Sequence, residues 1–165
     1  MKYSFVKMTE EHAARIAGWH YSGEYCFYDP TADPKDLEAL MNREYWDGIT
    51  FAALDAGGQL AGWIMLYPEG QTVWLALGMR PELTGKGLSQ DFLEDAIEHC
   101  RSLHGRERKT IMLDVAAFNR RSIETYWRAG FCETDTVRKQ THAGAMDYLR
   151  MVMPLMPLSI SERWK

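Results

Sequence analysis

The stretch Thr72-Val73-Trp74-Leu75-Ala76-Leu77-Gly78-Met79-Arg80-Pro81-Glu82-Leu83-Thr84-Gly85-Lys86-Gly87-Leu88-Ser89 reads as a strand, a tight glycine-bearing loop and the start of a helix. From Thr72 to Met79 the side chains are mostly β-branched, aromatic or aliphatic, and Arg80-Pro81 stops the run because proline cannot donate to a central ladder. From Leu88 onward, Phe92, Leu93, Ala96, Ile97, Cys100 and Leu103 recur at helical spacing, so one apolar stripe runs on to Gly105. The glycines of Thr84-Gly85-Lys86-Gly87 let backbone N–H groups turn toward one point, and the following helix adds the positive end of its dipole. That combination favours a bound anion, most often phosphate; a simple tight turn is the plainer use of the same glycines. Two nucleotide motifs fail on the letters. A P-loop needs glycine where Arg80 stands and Ser or Thr where Gly87 stands, and the dinucleotide fingerprint needs glycine at position 90, which is Gln.

A second stretch, Leu113-Asp114-Val115-Ala116-Ala117-Phe118-Asn119-Arg120-Arg121-Ser122-Ile123-Glu124-Thr125-Tyr126-Trp127-Arg128-Ala129-Gly130-Phe131, reads as a strand, an Asn N-cap, a short amphipathic helix and a Gly C-cap. Together the two stretches resemble the GNAT superfamily of N-acetyltransferases. The family's coenzyme A pyrophosphate loop has the pattern Arg/Gln-x-x-Gly-x-Gly/Ala. Thr84 takes the Arg/Gln place, Gly87 the central Gly and Ser89 the final Gly/Ala, so Thr84 and Ser89 depart from the pattern. Ser89 is small enough for close approach of a pyrophosphate, whereas Thr84 lacks a long polar side chain. The second family pattern, Asn-x-x-Ser/Ala-x-x-x-Tyr-x-x-x-Gly-Phe, is met at every fixed position by Asn119, Ser122, Tyr126, Gly130 and Phe131.

The resemblance implies an α/β chain (α+β, mixed sheet) with the GNAT-like acyl-CoA N-acyltransferase fold: a central, mostly antiparallel sheet with splayed strands and helices on both faces. The strand Thr72–Met79 is expected to bulge and to splay from a strand over 109–115. The pantetheine arm of acetyl-CoA, the cosubstrate, would lie in that wedge against the backbone of Leu77, Gly78 and Met79. Thr84, Gly85, Lys86, Gly87, Leu88 and Ser89 would hold the pyrophosphate, and Asn119 would cap its helix and also meet the pantetheine arm. No metal is implied. The activity implied is transfer of an acetyl group from acetyl-CoA to a primary amine by direct attack in a ternary complex. The alternative is a non-catalytic acyl-CoA-binding domain of the same fold.

The chemistry needs an amine nucleophile in its neutral form, a stabilised oxyanion and a proton for the departing thiolate. An alkyl amine with a pKa near about 10.4 is mostly protonated at neutral pH, so a carboxylate acting directly or through water is useful. Asp114 stands where some family members carry Glu and is the candidate base, and it reads equally as a structural carboxylate. By the same resemblance Tyr126 protonates the thiolate; the plainer reading is a ring packed with Ile123 and Trp127. A backbone N–H near Met79 would meet the oxyanion.

Composition narrows the rest. The 165 residues, 46% hydrophobic and 25% charged, suit one folded domain, expected over 1–154 with a surface extension over 155–165. A net charge of -4 offers nucleic acid no general attraction, and Arg106, Arg108 and Lys109 form only a short basic cluster. Cys26, Cys100 and Cys132 are odd in number and lack metal-ligand spacing, so reduced thiols and no structural metal are expected. The longest apolar run, 60–67, is too short to span a bilayer, and a cytoplasmic location without a membrane partner is expected. A homodimer is left open.

In chain order, a strand over 2–7 precedes a helix from Thr9 to about His20. Asp33-Pro34 then caps a helix with Leu37, Leu40, Met41 and Tyr45 on one face. Strands are expected at Thr50–Leu54 and over 60–67, with Pro68-Glu69-Gly70 turning the chain into Thr72. A closing hairpin spans 131–139 and 147–154 around Thr141-His142-Ala143-Gly144. The least ordinary segment crowds Trp19, Tyr21, Tyr25, Phe27 and Tyr28 together. It reads as aromatic cover for the sheet. Its alternative use is an acceptor site, in which Tyr25 and Tyr28 attract a cationic amine with Glu24 and Asp29 adding negative charge.

Overall fold

The structure, a computed structural model, describes residues 1–155. Its elements are β1 (Ser4–Lys7), α1 (Glu10–Ala17), α2 (Pro34–Met41), β2 (Thr50–Leu54), β3 (Leu60–Glu69), β4 (Thr72–Met79), α3 (Ser89–His104), β5 (Thr110–Ala116), α4 (Arg120–Ala129), β6 (Cys132–Thr141) and β7 (Gly144–Pro154). The strands form one seven-stranded sheet in the order β1-β2-β3-β4-β5-β7-β6. Every neighbouring pair is antiparallel except β4–β5, which is parallel. The mixed sheet expected from the sequence is therefore present.

Period-two alternation divides the strand side chains between two cores. Val73, Leu75, Ile111, Leu113 and Met151 pack with Phe92, Leu93 and Ile97 of α3 and Ile123 of α4. On the other face Met8, Ile16 of α1, Trp19, Trp46, Ala52 and Leu60 form a second core, with Leu40 of α2 packed against it. Fully burying a side chain such as Phe92 or Leu93 stabilises the fold by about 1.5–3 kcal/mol. Thr9, Asp33 and Asn119 cap α1, α2 and α4 by accepting from the backbone N–H of His12, Lys35 and Ser122 at 3.1, 2.9 and 3.2 Å. Each cap is worth about 1 kcal/mol. Of the four α-helices among the described residues, α3 alone begins without a side-chain cap, at Leu88.

The structure departs from the sequence reading in several places. The chain does not turn at Pro68: β3 runs through it to Glu69, and the turn is Gly70-Gln71. Proline fits there because β2 accompanies β3 only as far as Met65, and opposite Val73 it occupies a pair that exchanges no backbone bonds. The second helix stops at Met41, since Asn42 adopts extended backbone and caps a separate 3-10 turn, Arg43–Tyr45; Tyr45 is thus off the face predicted for it. The last hairpin turns more tightly than expected, on His142-Ala143. Leu155, expected to open a surface extension, is fully buried. Its N–H donates to the Lys109 carbonyl (2.8 Å) and its carbonyl accepts from Arg101 Nε (3.3 Å). The rest of that extension lies outside the described residues. Among the described residues no helix is long and apolar enough to cross a membrane, and all three cysteines are free thiols.

Candidate active site

Sheet hydrogen bonding creates the site. In the hairpin Glu69-Gly70-Gln71-Thr72 the flanking pair Glu69–Thr72 exchanges backbone bonds, and alternation then commits Thr72, Trp74, Ala76 and Gly78 to β3. Val73, Leu75, Leu77 and Met79 turn their backbone groups the other way. There β5 meets β4 only at Thr72–Thr110, Val73–Ile111 and Trp74–Met112. Beyond Trp74 the strands part, leaving a wedge into which the backbones of Leu75, Leu77 and Met79 point. The expected bulge in β4 is absent: its register with β3 is unbroken from Gly62–Met79 to Glu69–Thr72, so the splay comes from β5. Gly78, expected to touch the coenzyme, has its backbone in the β3 ladder. Its missing Cβ makes room for Trp63, whose Nε1 would lie 2.5 Å from a Cβ there.

The glycine loop closes the wide end. Gly85 and Gly87 both take left-handed backbone, at φ 70° and 74°, which L side chains rarely adopt. Lys86 is exposed. The Thr84 hydroxyl donates to the Pro81 carbonyl at 2.7 Å and is spent on the loop itself. Ser89 Oγ lies 3.4 Å from Thr125 Oγ1, tying the start of α3 to α4. An open strand edge, a left-handed glycine loop and an uncapped helix start together fit an extended pantetheine arm ending in a pyrophosphate.

Two side chains expected from the motif sit beside the wedge on α4. Asn119 is buried, and its Oδ1 accepts from the Ser122 N–H while its Nδ2 donates to Tyr28 Oη at 3.1 Å. Tyr126 is half-buried, its ring edge-on to Phe131 at 5.7 Å. Burial, and then the neighbouring Tyr28, raise its pKa, so the phenol keeps its proton at neutral pH. Its hydroxyl makes no hydrogen bond among the described residues.

Asp114 is placed otherwise than a free base requires. Arg150 grips it with Nε and Nη2 at 2.8 and 3.0 Å, and Lys139 Nζ stands 2.6 Å away. Burial alone would raise its pKa, but the hydrogen bonds from Arg150 and Lys139 outweigh burial and hold it below the ordinary carboxylate range. A carboxylate so stabilised accepts a proton poorly.

The aromatic segment is a strap across the wedge mouth. Tyr21 Oη donates to the Met79 carbonyl at 2.6 Å on one rim, and Tyr28 receives Asn119 on the other. Between them a 3-10 turn, Gly23–Tyr28, sets Tyr25, Phe27 and Tyr28 around Phe118 with ring centroids 6.1, 5.7 and 5.9 Å away. His142 Nε2 lies 3.0 Å from the Phe27 carbonyl. Asp29, expected to attract an acceptor, accepts from the Tyr21 N–H and pairs with His20. Burial pushes the Tyr28 phenol up to about 12. Tyr25 and Tyr28 part company: the Arg121 guanidinium sits 4.1 Å over the Tyr25 ring, facing the glycine loop. A cleft of about 630 Å³ opens there, lined by Tyr21, Glu24, Tyr25, Glu82, Thr84 and Arg121.

Sequence reasoning missed Arg121 and Tyr148, and it named Tyr21 only as one ring of the aromatic cluster. Arg121 was within reach of it, because a cap at Asn119 puts position 121 in the first turn of α4; nothing local marks Tyr148 or gives Tyr21 its bond to Met79.

A model described as the acetyltransferase (GNAT) family matches residues 15–131. In sequence, no curated protein matches. Among solved structures, the chain is similar to a spermidine N-acetyltransferase from Vibrio cholerae in complex with CoA and spermine, with 20% identity, 99% of each chain covered and a TM-score of 0.73. A spermidine N-acetyltransferase chimera from V. cholerae and hSSAT superposes at TM-score 0.76 with 20% identity over 94% of this chain and 96% of that one. At such identity the likeness is one of fold. The family match, running from α1 through the Gly130-Phe131 pair, carries the stronger statement: this protein belongs to the GNAT family and is an acetyl-CoA-dependent N-acetyltransferase.

Proposed function

We propose that the wedge between β4 and β5 is where acetyl-CoA and a primary alkyl amine meet, with Tyr126 as the proton donor. When bound, the cosubstrate supplies an activated acetyl thioester. Leu77 and Met79 offer backbone groups along the strand edge, Asn119 orients from the α4 cap, and Gly85 to Ser89 receive the pyrophosphate. The observation that carries this reading is the parting of β4 from β5 after Trp74, beside an α4 tyrosine whose hydroxyl has no partner among the described residues.

Asp114 is assigned to holding Lys139 and Arg150. With that carboxylate committed, the amine loses its proton before attack, so the acceptor's own pKa sets the low-pH limb of the reaction. The acceptor side is placed around Tyr28 and around Tyr148, the β7 residue opposite Ala116 at the end of β5. Asp36 lies close by, with its pKa raised by burial and then by Asp33. Lys139 Nζ already lies 4.8 Å from the Tyr148 ring, so the Tyr28 ring and Asp36 are the groups there that favour a cationic amine. Polyamines, the substrates named for the similarly folded V. cholerae enzymes, are the first acceptors to try. Release of free thiol from acetyl-CoA is measured against spermidine, spermine, lysine, peptide N-termini and amino sugars. Turnover with amino sugars or peptide N-termini alone would overturn the polyamine assignment, and no turnover with any amine would overturn the wedge as an acyl-transfer site.

A further inference from the structure

We infer that Arg121 binds the coenzyme pyrophosphate in place of the long polar side chain that Thr84 lacks, and that Tyr25 holds it there. The inference rests on the reading of the wedge as the coenzyme site. Three observations lead to it. Thr84, where the loop pattern carries Arg or Gln, spends its hydroxyl on the Pro81 carbonyl at 2.7 Å and projects no cation. A Cβ built on Gly85 would lie 3.3 Å from Arg121 Nη1, so the guanidinium reaches the loop from α4 and crosses from one wall of the site to the other. Arg121 makes no ion pair among the described residues, although Glu24 and Glu82 line the same cleft; Glu82 pairs with Arg80 at 3.4 Å.

An unpaired, exposed arginine would ordinarily sample many rotamers, which costs binding free energy when one must be selected. Here the ring of Tyr25 lies 4.1 Å beneath the guanidinium and limits that freedom while leaving its N–H donors available. Guanidinium is also the group whose forked donors match two phosphate oxygens at once. Glycine at position 85 has a second use beyond its φ of 70°: any side chain there would press on Arg121. Tyr25 is therefore a positioning residue on the coenzyme side and not an acceptor contact.

Isothermal titration of the full chain with coenzyme A, dephospho-coenzyme A and pantetheine tests this, alongside thermal melts without ligand. Arg121→Ala should weaken coenzyme A and dephospho-coenzyme A equally, about tenfold or more, and leave pantetheine unchanged. Tyr25→Ala should weaken both phosphate-bearing ligands by a smaller factor, and Tyr25→Phe, which keeps the ring face, should restore wild-type binding. The Michaelis constant for the amine should not move in either alanine variant. Equal affinity of Arg121→Ala and wild type for coenzyme A overturns the inference while leaving the wedge intact. A loss confined to coenzyme A moves the contact to the 3′-phosphate and also overturns it. Failure of the wild type to bind coenzyme A overturns the underlying reading of the wedge instead.

Discussion

Asn119 and Tyr28, 91 residues apart in sequence, meet where Asn119 Nδ2 donates to Tyr28 Oη at 3.1 Å, joining the helix that carries Tyr126 to the aromatic strap. Tyr28→Ala removes that acceptor and the ring packed on Phe118. The Michaelis constant for the amine should rise several-fold while the dissociation constant for coenzyme A stays within about twofold, steady-state kinetics and calorimetry being the checks. A change in the coenzyme constant alone would put Tyr28 on the other side of the site.

Tyr126→Phe keeps the ring against Phe131 and deletes only the hydroxyl. Coenzyme A binding should persist, and turnover at saturating acetyl-CoA should fall by about 10²–10⁴-fold, the usual worth of a general acid. Full turnover in the Phe variant would remove Tyr126 from the chemistry.

Asp114→Asn separates two roles. Because the folded pKa of Asp114 is depressed, its contribution to stability is complete above the unfolded value of about 3.9 and is lost as pH falls through the folded value. The Asn variant should thus be less stable at pH 7, by about 2 kcal/mol as expected for a charged hydrogen-bond partner, and should approach the wild type only as pH falls below the depressed folded pKa of Asp114. Its activity limb should still follow the pKa of whichever amine is supplied. A limb that vanishes only in this variant would restore Asp114 as the base.

Gly87→Val tests the loop through backbone conformation, since nothing lies within 4 Å of a Cβ there and the φ of 74° is the obstacle. Gly58→Val, at φ 78° in the turn between β2 and β3, is the control. Each should cost about 1–2 kcal/mol of stability. Only Gly87→Val should weaken coenzyme A.

The two motif stretches were legible because their meaning is local. A glycine loop after a strand, and an N-cap followed by Tyr and Gly-Phe at fixed spacing, place β4, α3, β5 and α4 without knowledge of the remainder. Boundaries failed where a long-range partner decides them. Pro68 stays in its strand because β2 has already ended, and Leu155 is buried because Arg101 and Lys109 receive it. Within the site the same division holds. Asn119 and Tyr126 could be named from spacing. The neutralisation of Asp114 depends on Lys139 and Arg150 from β6 and β7, and the placement of Tyr25 depends on Arg121, none of which the local pattern around Asp114 or Tyr25 contains.

The short ladder between β4 and β5 also makes the sheet a pair of jaws. Two half-sheets, β1–β4 and β7–β6 with β5, share only three residue pairs, and beyond Trp74 the β4 jaw extends five residues, about 17 Å at strand rise. Leverage follows: about 5° of change at the seam displaces Met79 by about 1.5 Å at that rise per residue. The strap fastens to both tips, Tyr21 on Met79 and Tyr28 on Asn119 just past the end of β5, so it works as a tie-rod. Two phenolic hydrogen bonds, neither of them in the sheet ladder, thus span the jaws from tip to tip.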